Sequence, residues 1–174
     1  MVKIMKILLS IYFVIIFVLI SCESNPVSTT AELIDITQLS KTPGYQWYDL
    51  EVQNYNPDLN IINEVKKVYN SSKHKFVIMV KPSCSCPGTQ KQFPAIMKSF
   101  NLAGITQSNY LIYSVSSERT KHPYEKHFKI NELPSIILMQ DSLPVYSIAD
   151  TFYIQRNLGS NKPLEYYLLE ALKK

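Results

Sequence analysis

Phe76-Val77-Ile78-Met79-Val80 is apolar at every position, and the chain turns away from it at Pro82, just before a close pair of cysteines, Cys84 and Cys86. A run without polar alternation keeps neither face in water, so it predicts a strand covered on both sides. Strands of that kind are joined through helices that lie over the sheet. Residues 110–115 and 135–139 read as a second and a third buried strand, and residues 145–148 as a fourth after a turn at 141–144. Asn56 and Pro57 suit the N-cap and first position of a helix whose apolar stripe is Ile61, Ile62, Val65, Val68 and Tyr69. Further helices are expected over 87–100, where Pro94 interrupts, over 122–129, and over 163–172. Residues 33–39 and 45–53, joined by Thr42-Pro43-Gly44, read as an N-terminal hairpin or extended arm. The order gives a βαβ half with a parallel sheet, closed by a hairpin that adds an antiparallel edge. The expected class is α/β.

Length and composition exclude more than they assert. A chain of 174 residues with 46% hydrophobic content suits one globular domain. Four glycines, Gly44, Gly88, Gly104 and Gly159, include no phosphate-loop or dinucleotide-fingerprint spacing and no nucleophile elbow. Nucleotide chemistry and serine-hydrolase chemistry are therefore not expected. The formal charge is +4, but two of the 18 basic residues, Lys3 and Lys6, fall in the leader described next, leaving 16 against 14 acidic residues. A balance that close to zero predicts no nucleic-acid partner.

Residues 1–6 carry two lysines, Lys3 and Lys6, and residues 7–20 are apolar apart from Ser10. Those 14 residues make about 21 Å of helix, short of a hydrocarbon core of roughly 30 Å, so the segment reads as a secretory signal. It ends in Leu19-Ile20-Ser21-Cys22, which resembles the lipobox of bacterial lipoproteins. The resemblance implies cleavage after residue 21, lipidation of Cys22 and attachment to a membrane in the cell envelope, with Glu23 matching the outer-membrane default where there are two membranes. The expected organisation is a signal peptide at 1–21, a polar tether at 22–32 and a folded domain at 33–174. Two thiols then remain in a compartment where disulfides persist, Cys84 and Cys86.

Two clusters carry a second resemblance. One is Val77-Ile-Met-Val-Lys-Pro-Ser-Cys84-Ser-Cys86-Pro-Gly-Thr89-Gln-Lys-Gln-Phe-Pro94; the other is Tyr124-Glu-Lys-His-Phe128-Lys-Ile130-Asn-Glu-Leu133-Pro134-Ser-Ile-Ile-Leu138. Together they resemble the thioredoxin-like superfamily, in which a buried strand runs into a Cys-x-x-Cys at a helix N-terminus and a proline kinks that helix eight residues after the first cysteine. A cis-proline then enters a later strand. Counting back from Pro94 places Cys86-Pro87-Gly88-Thr89 on the tetrapeptide, and Pro134 on the cis-proline. The resemblance spans about 57–174 and implies a three-layer sandwich, a mixed central sheet flanked by helices. It also implies that the Leu133–Pro134 backbone lies beside the Cys86 sulfur. Independently of the family, a thiol at a helix N-terminus faces unsatisfied N–H groups and the positive end of the macrodipole, which favour the reactive thiolate.

The chain departs from the family at Thr89, which stands where the second cysteine belongs, and at Ser85, where an aromatic is usual. Cys84 and Cys86 are therefore read as a rearranged redox pair, with Cys86 the nucleophile, Cys84 the resolving thiol, and Thr89 able to donate to the Cys86 thiolate. An i, i+2 bridge demands a bent backbone, and strained bridges are the reducible ones. A register that puts Cys84 first moves Pro94 to ten residues. The expected function is a lipid-anchored envelope thiol–disulfide oxidoreductase acting on protein thiols and disulfides, without a cofactor. A copper(I) chaperone or a redox-silent adaptor stands as the alternative, since Cys-x-Cys with a histidine suits a soft metal. His74, in a polar loop, is expected to face solvent, as are His122 and His127; Tyr45, Trp47 and Tyr48 are expected to pack the arm onto the sheet.

Overall fold

The computed structural model describes residues 29–82 and 88–174. Its elements are β1 (Glu32–Ile34), a 3-10 turn (Ile36–Lys41), α1 (Tyr48–Asn54), α2 (Leu59–Val68), β2 (Lys75–Val80), a π turn (Gly88–Gln92), α3 (Phe93–Ala103), β3 (Tyr110–Ser114), β4 (Ser135–Gln140), β5 (Leu143–Ser147), α4 (Ile148–Asn157) and α5 (Leu164–Leu172). The five strands form one mixed sheet in the order β1-β3-β2-β4-β5. β2 and β3 are parallel and joined through α3, with Ile78 opposite Ile112; β4 runs antiparallel to β2, with Ile78 opposite Ile136, and β5 antiparallel to β4. The chain is thus an α/β fold, with the βαβ unit and closing hairpin that its buried runs require.

The two faces of the sheet are covered differently. On the first, Phe76, Ile78, Val80, Ile112, Ile136 and Leu138 share a core with Tyr48 of α1, Ile62 and Val65 of α2, Phe93, Ile96 and Phe100 of α3, and Leu164, Leu168 and Leu172 of α5. Phe76 meets Phe100 with ring centroids 4.5 Å apart. Each such side chain contributes about 1.5–3 kcal/mol by leaving water. On the second face Val77, Met79, Tyr113, Ile137 and Met139 lie under Ile130, Tyr124 and Phe128. The expected helix over 122–129 is absent there: the segment is a run of turns, held by His127 N–H to the Tyr124 carbonyl (2.8 Å) and Phe128 N–H to the same carbonyl (3.1 Å). Pro123 contributes no donor, and side-chain cover comes from the stacked Tyr124 and Phe128 rings, 5.9 Å apart. The described helices therefore flank the sheet on one face.

The N-terminal arm also departs from expectation. Only β1 is a strand, and residues 48–54 are helical. Tyr48, Val52 and Tyr55, at i, i+4 and i+7, form the inward stripe, and Asp49 and Glu51 sit in the first turn, where the dipole favours them. Asp58, rather than Asn56, caps α2, accepting from Asn60 N–H at 2.8 Å and Ile61 N–H at 3.4 Å. α4 was not anticipated in the sequence. Its cap is Ser147, whose hydroxyl accepts from Asp150 N–H at 3.4 Å.

Glu165, in the first turn of α5, is only 1% exposed and braces the α1–α2 connection. It accepts from Asp58 N–H at 2.7 Å and from the Tyr55 hydroxyl. Burial, then this carboxylate, pushes the Tyr55 phenol well up, so the donor keeps its proton. Glu165→Ala leaves both donors unmet and is expected to lower stability by about 2–3 kcal/mol in urea titrations at unchanged slope.

His74 is 2% exposed, contrary to the expectation of a solvent-facing side chain. Its Nδ1 accepts from Asn70 N–H at 3.1 Å, closing the loop into β2. Burial, then the neighbouring Lys73, holds its pKa below the usual histidine value. The folded chain therefore resists a proton that the unfolded chain accepts, so stability is full above a pH of about 6.5 and falls as the pH drops through it. His122 is shifted the same way, by burial. Urea midpoints at pH 8 and pH 5 should differ in the native chain, and His74→Gln should shrink that difference without abolishing it.

Candidate functional site

The site suggested by the sequence lies beyond the C-terminal end of β2. Val80 closes that strand, and its carbonyl accepts Val115 N–H at 2.9 Å. The buried Tyr45 hydroxyl lies within hydrogen-bonding distance of both the Val80 carbonyl (3.3 Å) and Ser114 Oγ (3.0 Å). Burial foremost pushes that phenol up to about 12. The arm thus pins the ends of β2 and β3 together just before the chain enters the cysteine segment. Cys84, Cys86 and Pro87 lie outside the described residues, as do Ser83, Ser85 and Cys22.

Past that segment, Gly88 opens the π turn that leads into α3. The widened turn has a local cause, because Pro94 has no N–H to return to the residue-90 carbonyl. Thr89 is fully buried, and its Oγ1 has no hydrogen-bond partner among the described residues; Gln92 Oε1 is in the same position. An unmet buried hydroxyl costs about 1–3 kcal/mol.

Gly88 is the point where three segments converge. A Cβ built there would lie 2.1 Å from the Tyr153 hydroxyl, 3.0 Å from the Leu133 carbonyl oxygen and 3.4 Å from Pro134 Cδ. The Leu133–Pro134 peptide is cis, the isomer expected there. Two clusters far apart in sequence therefore meet through Gly88 and Pro134, with α4 supplying the third wall. Tyr153 lies edge-on to Phe152, 6.0 Å between centroids. Its phenol is pushed up by burial first and then by the charge of Glu132, with a Gln92 hydrogen bond opposing and Asp150 adding a smaller push.

The linear pattern gives Tyr153 no role, because the sequence reading places no helix over residues 148–157. The signal was present: Ser147 followed three residues later by Asp150, ahead of Phe152 and Tyr153, is a helix start. The histidines do not gather here. His74 precedes β2, at the far end of a six-residue strand about 20 Å long. His122 is half-buried against Phe128, with centroids 5.2 Å apart, and His127 is exposed. Among the described residues no group of three or more His, Cys, Asp or Glu is placed to hold a metal ion, and no helix is long and apolar enough to cross a membrane.

In comparisons with known proteins, the chain matches no family model, no curated protein and no solved structure.

The close approach at Gly88 generates a thermodynamic prediction. Gly88→Ala forces the Tyr153 hydroxyl aside and should cost about 1–3 kcal/mol. Tyr153→Phe removes the obstructing oxygen. In a double-mutant cycle the pair should therefore be less destabilised than the sum of the singles, whereas additive effects would mean that the two residues do not touch.

Proposed function

We propose that the chain is a lipid-anchored thiol–disulfide oxidoreductase of the cell envelope, of thioredoxin-like architecture, with Cys86 as nucleophile and Cys84 as resolving thiol. The observation that carries this reading is the junction at Gly88. The turn that follows the two cysteines is packed against a cis-proline approach, at a residue that has no side chain of its own. The βαβ unit with an antiparallel closing hairpin is in keeping with that architecture. The buried Thr89 hydroxyl, without a hydrogen-bond partner among the described residues, is in keeping with a donor to a sulfur anion. The leader ending at Cys22 supports the envelope location and the lipid anchor.

The reaction is an exchange of two electrons between sulfur pairs. A substrate thiolate attacks the Cys86 sulfur of a Cys84–Cys86 bridge; the S–S bond breaks, and its electron pair leaves on Cys84, which takes up a proton. A second substrate thiolate then attacks the substrate sulfur of the mixed disulfide, and Cys86 departs as thiolate. The substrate is oxidised to a disulfide and the pair is reduced to a dithiol. An envelope disulfide carrier reoxidises it by the reverse sequence. Placement at a helix N-terminus makes Cys86 the better leaving group and nucleophile, since oriented N–H groups stabilise its anion.

The test is a redox titration. The full chain is equilibrated across glutathione ratios, alkylated and weighed by mass spectrometry. The expected result is one two-electron transition between two free thiols and an internal Cys84–Cys86 bridge. Thiols that stay free throughout, or that form only mixed disulfides, contradict the proposal; stoichiometric copper(I) binding that requires both sulfurs would then identify a metal carrier instead.

A further inference from the structure

A cleft of about 300 Å³ opens on the helical side of the molecule, between α1, the start of α3, α4 and the start of α5. Ala95 of α3 contributes only a methyl group there, which leaves space that a larger side chain would take. The Tyr55 ring, Phe152 of α4 and Leu164 of α5 supply further apolar surface. These walls are held from behind. The Tyr55 hydroxyl donates to Glu165, and Phe152 lies edge-on to Tyr153 and Tyr167, with centroids 6.0 and 5.8 Å away. A pocket whose walls are fixed before a ligand arrives loses little affinity to ordering them.

The charges around the cleft do not cancel. Glu51, Lys91 and Arg156 are the charged residues of its lining, and Asn54 and Gln92 add neutral amides. Lys91 Nζ donates to both Glu51 oxygens, at 2.8 and 2.6 Å, so those two charges neutralise each other. Arg156 makes no ion pair among the described residues. The Glu165 carboxylate is not part of the lining, and its two oxygens are taken by the Tyr55 hydroxyl and Asp58 N–H. What remains is an apolar interior with one uncompensated cation at its edge. A guanidinium presents a planar fork of donors, the shape that matches a carboxylate.

We propose that this cleft binds a small monocarboxylate with a compact apolar body, of arylalkanoate size, its carboxylate on Arg156 and its body against Ala95, Phe152 and Leu164. Size and charge both select that class. An apolar cavity of about 150 Å³ accepts benzene, so roughly twice that volume accommodates a ring and a short acid chain. A neutral body would leave Arg156 without a partner, and a bare carboxylate would leave the apolar walls in water. The site stands apart from the thiol chemistry, since every residue in it lies outside the cysteine segment.

The experiment is a saturation-transfer NMR titration of the full chain with 3-phenylpropionate. Two comparators separate the contributions: 3-phenylpropan-1-ol keeps the body without the charge, and acetate keeps the charge without the body. The expected result is saturable binding of the acid, with the alcohol about tenfold weaker and no competition from acetate. Arg156→Gln should weaken the acid by about the same factor and leave the alcohol unchanged. Ala95→Val, confirmed as folded by thermal melting, should weaken acid and alcohol alike by narrowing the cleft. If that variant does not fold, Arg156→Gln at its exposed position decides the matter alone. The proposal is overturned by an acid that does not saturate, by an alcohol that binds as tightly as the acid, or by acid binding that Arg156→Gln or folded Ala95→Val leaves unchanged.

Discussion

The close approach at Gly88 is the constraint on which the arrangement depends. A helix start, a cis-proline turn and a tyrosine from a third element occupy one small volume, and they fit because one residue has no side chain. Everything needed to bring those segments there is built from apolar runs: β2 delivers the chain to one end of the sheet, β4 begins at the same end immediately after Pro134, and α4 follows directly from β5. The sheet fixes the positions of the segments, and the glycine lets them touch.

Two polar braces hold this end of the molecule in register. Tyr45 ties the ends of β2 and β3, and Glu165 ties the start of α5 to the α1–α2 connection. Both spend buried polar groups where an apolar residue would pack more simply. Buried polar groups of this kind specify one arrangement among several, since a shifted register leaves donors and acceptors without partners. The aromatic series Tyr45, Trp47, Tyr48 and Phe93 carries that order from the arm to the base of α3.

Much of this was legible in the sequence, for definite reasons. Fully apolar strands announce themselves, and so does the apolar face of the C-terminal helix; Pro94, which the sequence places as an interruption, stands in the first turn of α3 after the π turn. The arm reads as a strand from sequence because Tyr45 and Trp47 flank Gln46 and Leu50 and Val52 flank Glu51, an alternation that competes with the helical face of Tyr48, Val52 and Tyr55. Residues 122–129 were read as helix from local pattern, but a proline at their start and the need to cover Met79, Tyr113 and Met139 are met by turns with two stacked rings. His74 looked polar and therefore exposed; its burial follows from the Asn70 N–H and Asn109 amide around it, partners that no linear pattern displays. Tyr153 became visible only once α4 was placed, because its meaning lies in a contact across 65 residues of chain.

The central proposal is that the two thiols, Cys84 and Cys86, have unequal, ordered roles. It is tested most directly by single-cysteine trapping. Reduced Cys84→Ser and Cys86→Ser chains are each mixed with a peptide that carries one internal disulfide, then quenched with acid and weighed. The account predicts a persistent mixed disulfide through Cys86 in the Cys84→Ser chain and little or none in the Cys86→Ser chain. Equal trapping by both, or trapping through Cys84 alone, would contradict it.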